Sequence, residues 1–164
     1  MRKILIFGNS GSGKSTLAKV LASSLQLAHL DLDPLAWLPM APGKKTPPGR
    51  MPLSQSAEQI KTFTNANAQW VIEGCYTDLL DITSAEANEI IFLNLEPQDC
   101  ISNAKERPWE PHKYDSKAAQ DSNLPMLIDW INQYVHREDV CSRSAHLQFY
   151  QSFSGLKTMR TSNS

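Results

Sequence analysis

Cysteine is scarce and odd in number: Cys75, Cys100 and Cys141 lie far apart in 164 residues, with no C-x-x-C pair and no Cys/His ligand spacing. That argues against a disulfide framework or a structural zinc and fits free thiols in a reducing compartment. Long apolar runs are missing too. Ile4-Leu5-Ile6-Phe7 and Ile90-Ile91-Phe92-Leu93 fall far short of a bilayer span, and Met1-Arg2-Lys3 opens no signal-peptide pattern. A cytoplasmic protein with no membrane partner is expected. Charge of one sign is not in excess, since 16 Lys+Arg face 17 Asp+Glu for a net −1. The basic residues are dispersed and form no aromatic-basic platform, which argues against nucleic acid as a partner. Repeats and low-complexity tracts are absent. What remains, 41% hydrophobic and 20% charged, describes a globular chain of a size suited to one domain over residues 1–164.

Lys3–Phe7 is an apolar run without polar alternation, the pattern of a strand buried on both faces. It stops at Gly8. From Lys14 to about Ser24, Leu17, Val20 and Leu21 recur at helical spacing. Leu27–Leu32 reads as a second strand closed by Asp33-Pro34. Five prolines between Pro39 and Pro52 exclude regular structure there and point to a binding or lid loop. Ser56 and Gln59 have capping-box spacing, so a helix is predicted over about Gln55–Asn67. Trp70-Val71-Ile72 and Ile90–Leu95 read as strands, Asp99–Glu106 and about Ala119–His136 as helices, Leu147, Tyr150 and Phe153 as a further helix, and Lys157–Thr161 as a weak last strand. Strands alternating with helices predict an α/β fold whose parallel sheet is covered on both faces and binds ligands beyond the strands' carboxyl ends.

The chemistry begins at Gly8-Asn9-Ser10-Gly11-Ser12-Gly13-Lys14-Ser15, a G-x-x-x-x-G-K-[ST] phosphate loop with a strand before it and a helix after it. Glycines let successive backbone N–H groups converge on phosphate oxygens, and the helix N-terminus, opening through Ser15 and Thr16, adds partial positive charge. Lys14 is placed to reach the β- and γ-phosphates, and Ser15 to offer its hydroxyl to Mg²⁺. Asn103-Ala104-Lys105-Glu106 supplies no N-K-x-D guanine-reading element, so ATP is the expected nucleotide.

With Asp31-Leu32-Asp33 at the end of the second strand, Asp33-Pro34-Leu35-Ala36-Trp37 beyond it and Trp70-Val71-Ile72-Glu73-Gly74 on the third, the chain resembles the small nucleoside-monophosphate and shikimate-type kinases. This group includes the adenylate-kinase-like proteins known as DNA topology modulation proteins. The resemblance implies a three-layer P-loop NTPase fold with a five-stranded parallel sheet in the order 2-3-1-4-5. It also implies a substrate-binding insertion at about 34–56 and a lid at about 100–118. Asp33 would orient or deprotonate an acceptor hydroxyl, Asp31 and Glu73 would hold Mg²⁺ through water with Ser15 or polarise the attacking group, and Trp37, Arg50 and Gly74 would join Asp31, Asp33 and Glu73 around the acceptor. Arg107 is the preferred lid arginine because a guanidinium binds phosphate through paired hydrogen bonds, whereas Asn103 stands where the usual first lid arginine is expected.

Lys105, His112 and Lys113 read as a solvated face, and Trp109 as lid packing. The short segment after the last strand implies weak or lid-derived base selectivity. Only Arg50 and Arg107 are available to bind a second phosphate, so a nucleoside-monophosphate acceptor is disfavoured. The reading is therefore an ATP- and Mg²⁺-dependent kinase, monomeric or homodimeric, whose acceptor is a small hydroxyl-bearing or nucleotide-like molecule that Lys44, Lys45 and Arg50 help to recognise. The alternative is a nucleotide-binding regulator or slow ATPase without a small-molecule acceptor.

Overall fold

The computed structural model describes residues 1–39 and 49–164, so Lys44 and Lys45 of the proline-rich loop lie outside the described residues. Five strands form one all-parallel sheet in the order β2-β3-β1-β4-β5: β1 (Lys3–Gly8), β2 (Ala28–Asp31), β3 (Trp70–Gly74), β4 (Glu89–Leu93) and β5 (Leu156–Arg160). The order is the expected one. Ile4, Leu5, Ile6 and Phe7 of β1 are all fully buried because the strand is central and helices cover both faces.

Strand alternation divides these side chains between two cores. Leu5, Phe7, Trp70, Ile72, Ile90 and Phe92 face the layer that holds α2 (Asp33–Ala36), α3 (Leu53–Ala66), α4 (Thr77–Thr83) and α7 (Arg143–Ser152). Ile4, Ile6, Val71, Ile91 and Leu93 face α1 (Lys14–Leu25), α5 (Pro97–Glu106) and α6 (Lys117–Asn132). Phe7 and Phe92 are register partners and stack with ring centroids 4.9 Å apart, fixing β1 against β4. Among the described residues no helix is long and apolar enough to cross a membrane.

Two local expectations are corrected. Ser56 caps nothing: α3 starts at Leu53 behind Pro52, and the buried Ser56 hydroxyl donates instead to the Leu35 carbonyl at 2.7 Å. Proline at the N-cap needs no side-chain acceptor to stop the chain from extending the helix backwards, and a buried hydroxyl must find a partner where one exists. The predicted Ala119–His136 helix starts earlier, at Lys117, where the Ser116 hydroxyl accepts from the Ala119 amide, and tightens to a 3₁₀ turn over Gln133–Val135.

His146, fully buried in α7, is held between the Tyr134 hydroxyl at Nδ1 and the Cys75 carbonyl at Nε2, each at 2.7 Å. A carbonyl can only accept, so Nε2 carries the proton and Nδ1 accepts from Tyr134. Burial pushes the imidazole pKa down to about 4. The folded state therefore keeps this ring neutral where the unfolded chain protonates it, so its stabilising contribution is complete above about pH 6.5 and is lost as pH falls toward 4. His146→Gln, which cannot titrate, should remove roughly 3 kcal/mol of that pH dependence. Urea melts of both proteins at pH 4.5 and 7.5 measure it, and equal pH slopes would disprove the assignment.

Candidate nucleotide and acceptor cleft

The loop from Gly8 to Gly13 turns at the carboxyl end of β1, where the sheet order reverses direction, and opens on a cleft of about 640 Å³. Its conformation is set by close backbone approach. Gly11 has φ +78°, and a Cβ there would lie 2.4 Å from the Cys100 carbonyl oxygen in α5. A Cβ on Gly8 would lie 2.5 Å from the Leu93 carbonyl at the end of β4. Only glycine permits both approaches. The Asn9 carbonyl accepts from the Ser12 amide and from Lys14 Nζ at 2.8 Å, so the lysine arches back over the loop. Asn9 itself is buried, its amide donating to the Ile131 carbonyl. Ser10, Gly11, Gly13, Lys14, Ser15 and Thr16 line the cleft.

Parallel register brings the acidic residues to the same edge. Asp31 is the register partner of Glu73, and Ser15 Oγ donates to Glu73 Oε1 at 2.8 Å across 58 residues of sequence. Glu73 is 1% exposed and also stands 3.5 Å from His29 Nε2. Asp31 accepts from the Asp33 amide at 2.9 Å. Burial, then the Asp33 and Glu73 charges, push its carboxyl up to about 6. Ser15, Glu73 and Asp31 offer hard oxygen donors, and among the described residues no cluster of three or more His, Cys, Asp and Glu forms a closed metal cage. That donor set suits Mg²⁺, which takes one or two carboxylates and completes its shell with phosphate oxygens and water.

Asp33 is the most elaborately held carboxylate. Its Oδ1 accepts from the Tyr76 hydroxyl at 2.8 Å, and its Oδ2 forms a 2.8 Å ion pair with Lys113 Nζ. Burial works against the charge, but Lys113, the Tyr76 hydroxyl and Lys14 outweigh it and hold Asp33 below the usual carboxylate range. Lys113 also stands 3.7 Å from Asp31 and 3.8 Å from Glu110. Its own burial is outweighed by those carboxylates, which raise it above the ordinary lysine range.

Lys113 corrects the solvated-face expectation, since it reaches from the segment between α5 and α6 onto the strand-two carboxylates. Arg107 lines the cleft but pairs with Glu110 at 3.1 Å. Trp37 and Arg50 stand behind the cleft. Trp37 Nε1 donates to the Tyr76 hydroxyl at 2.9 Å. Arg50 binds the Ala36 carbonyl and both Asp78 carboxylate oxygens, with its guanidinium 5.1 Å from the Tyr76 ring centroid. Arg50 is thus a brace for Tyr76 rather than a free phosphate ligand. Gly74 packs on Leu32, where a Cβ would come within 2.9 Å.

Several site residues escaped the sequence reading. Tyr76, Asp78 and Glu110 belong to no motif: Tyr76 and Asp78 meet Asp33, Trp37 and Arg50 across 28 to 43 residues, and Glu110 pairs with Arg107 and Lys113 three residues away on either side. Asn103, noted only as a missing arginine, donates to the Gly11 carbonyl and to Asn163 Oδ1, each at 2.8 Å. Asn163 in turn donates to the Ser12 carbonyl at 3.0 Å. Arg160, Ser162 and Asn163 line the cleft from the end of the chain.

A glycine-rich phosphate loop between β1 and α1, in a 2-3-1-4-5 parallel sheet with carboxylates at the ends of β2 and β3, defines a P-loop protein of nucleotide-kinase-like fold. The chain belongs to the AAA domain family, whose model matches residues 4–123. It is 32% identical over 149 residues to Uncharacterized protein YqaC of Bacillus subtilis (strain 168), a match covering 88% of this chain and 80% of that one. Among solved structures it is similar to shikimate kinase from Bacteroides thetaiotaomicron, with a TM-score of 0.55 and 15% identity over 98% of this chain and 86% of the other, a likeness of fold.

Removing the Lys113 ammonium tests the electrostatic account of Asp33. Lys113→Met should raise the Asp33 carboxyl pKa, followed through its carboxyl carbon by NMR. An unmoved titration would show that the ion pair does not hold Asp33 ionised.

Proposed function

We propose that this protein is an ATP- and Mg²⁺-dependent phosphotransferase that acts on a small hydroxyl-bearing acceptor. The observation that carries this reading is the presence in one cleft of a phosphate loop with Lys14, a partly buried Ser15–Glu73 pair, and an oriented carboxylate at Asp33. When bound, MgATP supplies the γ-phosphoryl group and the metal charge that offsets its oxygens. Lys14 and the loop amides bind the phosphate chain. Ser15 and Glu73 would hold the metal side of the site, with Asp31 beside them.

Asp33 is suited to orienting the acceptor hydroxyl. A carboxylate held below its usual pKa is a weak base at neutral pH, but phosphoryl transfer depends more on positioning and charge neutralisation than on early proton removal. The proton leaves the hydroxyl as the oxygen–phosphorus bond forms, and Asp33 lies where it can receive it. Lys113 must shift to admit the acceptor, because it now occupies Asp33 Oδ2. Arg107, exchanging Glu110 for phosphate oxygens, would clamp the transferring group.

That same occupancy favours a second reading, a nucleotide-dependent regulator in which the lid's Lys113 keeps the acceptor carboxylate closed and ATP binding signals to a protein partner. Turnover of ATP against a panel of polyols, sugars, nucleosides and small hydroxy acids separates the two. Phosphorylation of one panel member supports the kinase, and acceptor-independent hydrolysis or no turnover supports the regulator. In the kinase, Asp33→Asn should lower transfer by at least 100-fold with ATP affinity within about twofold. Full transfer by that variant would remove Asp33 from the mechanism. Lys14→Ala should abolish whatever ATP turnover the wild-type protein shows, and a turnover rate equal to wild type would refute the role given to the phosphate loop.

A further inference from the structure

Cys75 and Cys141 are 66 residues apart in sequence, yet their sulfurs lie 3.3 Å apart. Both thiols are free and buried, Cys75 at 6% and Cys141 at 4% exposure. The contact is built from both sides. Cys75 follows β3 directly, and its carbonyl accepts from His146 Nε2. Cys141 lies in the turn before α7, where its amide donates to Asp139 Oδ1 and its carbonyl accepts from Arg137. Val140 beside it accepts from the amide and hydroxyl of Thr77. The two segments are therefore held together on each side of the sulfur pair.

We propose that Cys75 and Cys141 form a reversible redox-modification site, in which a peroxide converts the paired thiols to an intramolecular disulfide. The sulfurs need to close by roughly 1.3 Å to bond. Cys75 is the entry point because it lines the nucleotide cleft, whereas the contact with the Cys75 sulfur and then burial push the Cys141 thiol up. The Cys75 thiolate attacks one peroxide oxygen, the O–O bond breaks, and hydroxide departs to become water on taking up a proton, leaving a sulfenic acid. The Cys141 sulfur then attacks the Cys75 sulfur. The S–S bond forms as the S–O bond breaks, and the departing hydroxide takes the Cys141 proton as a second water. Two thiols lose two electrons and two protons, and one peroxide becomes two waters.

The site adjoins Tyr76, whose hydroxyl donates to Asp33, so oxidation would fix the backbone one residue from the carboxylate's orienting group. It does not depend on phosphotransfer. Cys100 supplies an internal control: it is fully buried, and burial pushes its thiol up to about 11.

The test treats the folded full-length chain with hydrogen peroxide, quenches it, and counts thiols after denaturation. Free thiols should fall from three to one, with peptide mapping joining Cys75 to Cys141 and dithiothreitol restoring all three. Closing so long a loop should raise Tm by about 10 °C relative to the reduced protein. Cys100→Ser should still form the bridge. Cys141→Ser should instead leave Cys75 as a sulfenic acid that dimedone captures. Three free thiols after treatment, a bridge that includes Cys100, or cross-linking only after denaturant is added would each overturn the proposal.

Discussion

The site depends on how closely the phosphate loop is pressed against the ends of β4 and α5. Carbonyl oxygens of Leu93 and Cys100 occupy the space where side chains on Gly8 and Gly11 would begin. Asn103 and Asn163 then hold the loop's outward carbonyls of Gly11 and Ser12. Those contacts tie the loop to α5 and to the segment after β5 at the rim of the cleft. The cradle's conformational entropy is lost on folding rather than on ligand binding, which leaves more of the interaction with a polyanion as affinity.

This constraint passes outward through the sheet. β1 ends at Gly8, Phe7 before it stacks on Phe92 and pairs in register with Gly74, and the same register leaves Glu73 level with Ile6. Glu73 therefore emerges one turn of chain from Ser15, although 58 residues separate them. Residues drawn from β1, β2 and β3 become neighbours through parallel pairing alone.

The portion of the molecule that repeats locally was legible in sequence. Four consecutive apolar residues at Ile4–Phe7, the glycine spacing after them and the leucine spacing of α1 are each short-range patterns, and the sheet order followed from family resemblance. Elements without such a pattern were not read. The four-residue α2 begins at Asp33-Pro34, a pair read as a strand terminator, and the seven-residue α4 is too short to show a helical period. The Ser56 capping box failed because a buried hydroxyl found a tertiary acceptor on Leu35. Lys113 looked like one of several lid cations, and only an approach across 80 residues distinguishes it from Lys105 and His112. The pairing of Arg50 with Asp78 joins residues 28 apart that share no motif, so no sequence pattern announces it.

Asp33 shows why residue type and position do not by themselves define a catalytic role. Seen in sequence it is a strand-end aspartate in a kinase-like motif, which suggests a general base. In the fold, Tyr76 donates to one oxygen and Lys113 to the other, and both donors favour the ionised form. The protein has thus lowered the carboxylate's basicity while restricting its direction. Such a trade suits a reaction in which the attacking oxygen needs to be aligned and its proton departs late, and suits poorly one that requires early deprotonation. Tyr76 is itself held by the Trp37 indole N–H and lies under the Arg50 guanidinium. The direction of Asp33 is therefore set by residues at both roots of the proline-rich loop, and any molecule that moves those roots changes the aim of the carboxylate without touching it.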